Sequence, residues 1–323
     1  MRHLGRFVSV LLPLFFAALE IHAENPSLPL VMANDNRTPA GQLKDGVLKL
    51  ELEIGQGRWY PEDEKGQYRD AYAFGEKGRP PQSSGPLIRV PQGTKIRITI
   101  QNTLTLTVKI RGLHTHPGDP NQTVNMQPGE TRELEFPAGE PGTYPYWGTT
   151  SDTSLKGRRA AETLLSGAFV VDSLGMPEQD RIFVLSVWSK VDPSGFELIP
   201  SINGKSWPYT EHFDYNIGQV VRWRVVNISD DPHSMHLHGF FFTVEATGDG
   251  TWCSRDAGPN AHAARTTDYV WAQSGGLAER NSPQSSAPQQ CIRGNTDRAV
   301  WWRKRHTGIS WGARTRGRSR AGR

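Results

Sequence analysis

The sequence predicts an all-β chain in which two β-sandwiches follow one another, the second of them incomplete. Short alternating strands recur at close intervals, and the plan of the first set is repeated in the second. The 323 residues include 33 Gly and 23 Pro, a composition suited to many turns, and are enough for two domains each burying its own core.

Residues 1–23 read as a signal peptide. Arg2 and Arg6 give a positive start, Phe7 to Leu19 is apolar, and Ile21-His22-Ala23 offers a small residue for cleavage. The apolar run is too short to span a bilayer comfortably, so the expectation is export to a periplasm or the outside with no membrane anchor.

The first sandwich is expected over 45–175. Val47 to Ile54 alternates apolar and charged residues, as a half-buried strand does, and Thr94 to Ile100 repeats the pattern after the turn Pro91-Gln92-Gly93. Glu133 to Phe136 and Gly167 to Val171 supply further strands. The second sandwich is expected over 178–250, with strands at Ile182 to Trp188, Val220 to Asn227 and His236 to Ala246. In each unit an alternating strand ends in Asn, at Asn102 and Asn227, and leads on to a histidine, His114 and His236.

After Asp249 the alternation stops, and 251–323 reads as an irregular basic tail. From Trp252 onward there are 13 Lys and Arg against 4 Asp and Glu, while the rest of the chain holds 24 against 29, so the tail alone makes the sequence basic. A basic tail can bind nucleic acid, but this sits poorly with an export signal, and no nucleic-acid partner is expected. The Trp residues at 252, 271, 301, 302 and 311 argue against a solvated tail, and off-frame translation of GC-rich DNA gives such a mixture. Cys253 and Cys291 are the only cysteines; in an exported protein they could pair, but two cysteines are not a disulfide framework.

Five of the ten histidines fall in two clusters. Leu113-His114-Thr115-His116-Pro117-Gly118 places two imidazoles on one face if the segment is a strand, a weak signal that suits copper or zinc. His233-Ser234-Met235-His236-Leu237-His238-Gly239 is stronger. His236 and His238 share a strand face, and His233 faces elsewhere or lies in the entering turn, so one strand end could serve two metal environments.

The second cluster resembles the H-x-x-H-L-H-G motif of multicopper oxidases, and the first is similar to their H-x-H-G motif. Gly85-Pro86-Leu87-Ile88-Arg89-Val90 to Asn102 is similar to the family's entry strands. Ser201-Ile202-Asn203-Gly204-Lys205-Ser206-Trp207-Pro208 resembles a phrase from the domain carrying the third motif. The resemblance covers about residues 45–250 and implies two cupredoxin-like Greek-key β-sandwiches and copper as cofactor. It implies that His114 and His236 ligate the type 2 copper, His116 and His238 the type 3 pair, and His233 the type 1 copper. It also implies a small-molecule or metal-ion reductant, dioxygen as its acceptor, and a homotrimer in which His114 and His236 come from different chains.

Two departures weigh against a full oxidase. The second H-x-H motif should follow a Gly-Thr-aromatic lead, but Gly142-Thr143-Tyr144-Pro145-Tyr146-Trp147-Gly148-Thr149 has Trp147 and Thr149 in place of two type 3 histidines. The fourth motif, H-C-H, is absent, because neither Cys253 nor Cys291 is flanked by histidine. Three readings stand: an inactive or impaired copper oxidoreductase of this family, a non-catalytic periplasmic copper-binding or resistance protein, and a plain secreted β-sandwich whose histidines are incidental.

Overall fold

The computed structural model describes residues 28–119, 121–175, 180–193, 195–216, 219–230, 233, 235, 243–248, 253–254, 267–272, 293–294, 298–305 and 308–315. They are almost entirely strand, with two short 3-10 turns at Leu155–Gly157 and Ala160–Leu164.

Twelve strands build the first unit. They are β1 (Leu30–Ala33), β2 (Gln42–Lys44), β3 (Val47–Trp59), β4 (Arg69–Glu76), β5 (Gln82–Ser83), β6 (Gly85–Pro91), β7 (Lys95–Asn102), β8 (Val108–Arg111), β9 (Val124–Met126), β10 (Thr131–Pro137), β11 (Gly142–Thr149) and β12 (Ser166–Asp172). One sheet has the order β1-β5-β4-β3-β7-β10, with β2 on β3, and the other β6-β12-β11-β8-β9. β3 runs parallel to β7, and β6 parallel to β12, so the connections cross between sheets as Greek-key packing requires.

The period-2 alternation explains the core. On β3 the apolar set Leu48, Leu50, Leu52 and Ile54 is buried, and on β7 Ile96, Ile98 and Ile100 are. These meet Ile88, Val90, Val108, Ile110 and Phe169 of the facing sheet in one cluster. β12 is different, because every one of its residues is buried. Phe169 and Val171 face that core, while Ala168 and Val170 pack on the other side against Ile182, Val184, Val226 and Ile228. A strand covered on both faces reads as an uninterrupted apolar run, as Gly167 to Val171 does.

The second unit contains β13 (Asp180–Asp192), β14 (Gly195–Ile202), β15 (Val221–Asn227), β16 (Thr243–Gly248), β17 (Cys253–Ser254), β18 (Thr267–Ala272) and β19 (Arg293–Gly294), in the order β14-β13-β15-β19-β18-β16-β17. A separate hairpin joins β20 (Arg298–Arg305) to β21 (Gly308–Thr315). Strand pairing therefore continues past the point where sequence alternation ends, with β18 antiparallel to β15 from Thr267 to Val270. Of the strand expected from His236 to Ala246, residues 236–242 lie outside the described residues. The signal peptide expected at 1–23 does too.

Polar contacts join the units, among them two clusters that the sequence splits widely. Arg89 donates to Asp172 at 2.7 Å and to Asp180 at 2.6 Å, and Arg224 bonds the same two carboxylates. Asn203, at φ 51°, accepts from Val184 N at 2.8 Å and from Asn36 Nδ2 at 2.9 Å. The next residue, Gly204, has φ 84°, and a Cβ there would lie 2.0 Å from the Ser83 carbonyl oxygen, so only glycine allows this approach. Its own carbonyl accepts from Trp59 Nε1 at 2.8 Å. The Asn203-Gly204 phrase is thus a docking turn between units.

Candidate metal centre

β8 ends at Arg111. Gly112 then adopts φ 86° with its α-carbon so close to β11 that a Cβ would sit 2.3 Å from the Pro145 carbonyl oxygen. This turn ends the strand, so the expectation that His114 and His116 share a strand face is corrected: they lie in the loop beyond β8. His114 is half-buried and His116 exposed.

The loop is tight. Asp119 N donates to His116 O at 2.8 Å, and His116 N donates to His114 Nδ1 at 3.3 Å. His114 Nε2 is buried and has no hydrogen-bond partner. Burial lowers the His114 pKa and so favours the neutral ring, opposed by the Asp119 charge and, more weakly, by a backbone contact with the same residue. An imidazole held on one side with an unpartnered buried nitrogen on the other suits a metal ligand.

His233 follows the end of β15 and is half-buried. Its Nε2 lies 2.7 Å from the Ser229 hydroxyl, which is also 2.8 Å from Asn227 Oδ1. His236 and His238 lie outside the described residues. Among the described residues, no three His, Cys, Asp or Glu side chains cluster to hold an ion.

On β11, Trp147 faces Arg111 of β8 in the ladder and Thr149 faces Lys109. Trp147 is 8% exposed, and two guanidinium groups lie over its ring: Arg111 at 5.1 Å and Arg158 at 5.3 Å from the centroid. Arg158 is itself 2% exposed and donates to Glu162 O at 3.0 Å, Leu165 O at 3.1 Å and Ile228 O at 3.0 Å. Burial pulls its pKa down to about 9, with the Glu162 charge opposing, so the group remains a cation at neutral pH. The Thr149 hydroxyl donates to Glu162 Oε2 at 2.8 Å, and the Ser151 hydroxyl to the same oxygen at 2.9 Å.

The residues thus fit an imidazole-held copper at His114 but not a copper pair at Trp147 and Thr149, where neither side chain can replace an imidazole. Sequence reasoning missed Arg158 and Glu162, because a charged pair in a Gly- and Ser-containing stretch reads as solvated surface. A cavity of about 610 Å³ lined by residues including Tyr72, Arg79 and Leu104 takes in none of the histidines.

The first unit's sandwich, with the second unit's sheet packed on its β12, is a cupredoxin-type fold. Two multicopper oxidase family models match, one over residues 80–174 and the other over 178–279. The chain belongs to the multicopper oxidase family, whose cofactor is copper.

It is 27% identical over 216 residues to a protein of Kuenenia stuttgartiensis named "Probable nitrite reductase-hydroxylamine oxidoreductase fusion protein". That match takes in 61% of this chain and 25% of the relative, so the chain spans about a quarter of the curated relative it matches. Among solved structures, the blue copper oxidase from Nitrosomonas europaea superposes with a TM-score of 0.54 at 19% identity, covering 82% of this chain and 85% of that one. The copper nitrite reductase of the same organism gives 0.53 at 16%, covering 83% and 94%. At these identities both likenesses speak for the fold.

Proposed function

We propose that this chain is an exported copper-binding protein of the multicopper oxidase family, impaired as a four-electron oxidase. His114 and His236 hold its copper, with His116, His233 and His238 as the further ligands that the family resemblance implies. The observation that carries this reading is the buried, unpartnered Nε2 of His114 within a cupredoxin scaffold. Copper, when bound, supplies one-electron redox chemistry. The chain's own residues supply a neutral imidazole at His114, a loop that fixes its ring, and a partly closed surround.

In intact relatives a reductant gives electrons and dioxygen accepts them. Here no cysteine is flanked by histidines, so the thiolate route for fast electron transfer is lacking. Storage or delivery of periplasmic copper is the second reading, and the missing thiolate favours it. Nitrite as acceptor is a third, favoured by the name of the Kuenenia relative. Assembly as a homotrimer places His114 of one protomer against His236 of its neighbour. No helix of the described residues is long and apolar enough to cross a membrane. The charged start and apolar run before Ala23 support export by a cleaved signal.

The test is copper titration of the purified chain. Wild type is expected to retain copper through dialysis, and His114→Ala and His236→Ala each to lower affinity by about 10–100-fold. A wild type that stays copper-free, or variants that bind as well as wild type, would overturn the reading. Oxygen- or nitrite-dependent oxidation of phenols or metal ions by the loaded protein separates the redox readings from storage.

A further inference from the structure

We propose that Arg158, stacked with Arg111 on Trp147, is a built-in cation that closes the position where the family's second H-x-H motif would present two imidazoles, excluding a copper pair and tying the two units together in its place. The inference rests on the family reading of residues 142–149, but not on whether copper binds at His114.

Three observations converge. First, the position is filled: Trp147 is 8% exposed and both guanidinium groups lie within 5.3 Å of its ring centroid. Second, the cation is solvated by the protein. The carbonyl oxygens of Glu162, Leu165 and Ile228 accept from Arg158 at 3.0–3.1 Å, and the Leu155 carbonyl lies at 3.4 Å. Oriented carbonyl dipoles around a 2% exposed group stabilise a positive charge fixed in place, and a second cation brought beside it meets direct repulsion in a low-dielectric site. Third, the bonds cross the molecule. Glu162 and Leu165 precede β12, whereas Ile228 follows β15, and Ile228 N donates in turn to Leu185 O of β13 at 2.9 Å. One guanidinium therefore joins the loop before β12 to the second sheet system. Thr149 supports the arrangement, since its hydroxyl is directed to the Glu162 carboxylate, whose charge faces Arg158.

The first arm of the test uses the metal-free full chain. Arg158→Met should lower the melting temperature by about 6–12 °C, the range for losing a buried, multiply bonded cation in a chain of this size, and Arg158→Lys should recover part of that shift. A change of less than about 2 °C for Arg158→Met overturns the tie between units. The second arm counts copper per chain after Cu(II) loading in the Trp147→His plus Thr149→His variant. With Arg158 in place, no copper is gained over wild type. Gain of one or more coppers per chain, with a spin-silent pair by electron paramagnetic resonance, overturns the exclusion. A wild type that binds no copper sinks the proposed function while leaving the melting experiment to decide this inference.

Discussion

Asp180 shows how one carboxylate decides the stability of the junction between units. Its side chain is 2% exposed, and burial alone would raise its pKa. The charges of Arg224 and Arg89, with their hydrogen bonds, outweigh that and hold it below the ordinary value. A carboxylate with a depressed folded pKa stabilises the fold above its unfolded pKa, and that contribution is lost as pH falls through the folded value. The melting temperature is accordingly expected to fall steeply below about pH 4, and less steeply in Asp180→Asn. That substitution should cost about 3–5 kcal/mol at neutral pH because it leaves buried guanidinium charge uncompensated. Melting from pH 7 to 3 measures the first effect, and urea denaturation at pH 7 the second. At the docking turn, Gly204→Ala should destabilise by about 2–4 kcal/mol, since its positive φ and the Ser83 carbonyl at 2.0 Å both oppose a side chain.

At the scale of elements, strands were legible where burial is one-sided. Val47 to Ile54 and Thr94 to Ile100 alternate because one face meets the core, and both became strands with the expected residues inside. β12 was legible for the opposite reason, since burial on both faces removes the polar alternates. Phe169→Ala in this strand should cost about 3–5 kcal/mol by leaving a cavity between Phe136 and Tyr144, a loss that chemical denaturation reports. The histidine loop was less legible. His114 and His116 have the spacing of a strand face, but Gly112 ends β8 two residues before His114, and a glycine's φ cannot be read from composition. Arg158 was invisible for a related reason. Its partners are backbone carbonyls contributed by Glu162, Leu165 and Ile228, which no side-chain pattern encodes.

For the whole molecule, the family match runs to residue 279 and β18 pairs with β15, although alternation and motif spacing both end near Asp249. A reading-frame slip there predicts that another frame downstream of codon 249 encodes an H-C-H motif; finding none in either frame would leave the basic segment as the chain's own. The broad plan, two all-β units with clustered histidines, follows from sequence because strand period and imidazole spacing are local. How the units are joined is non-local: Arg89 lies 83 and 91 residues from Asp172 and Asp180, and Arg224 lies 52 and 44 from them. X-ray absorption at the copper edge of the loaded chain should show imidazole multiple scattering from at least two rings, with no sulfur neighbour. A sulfur ligand, or a shell of oxygens without imidazole features, would contradict the account.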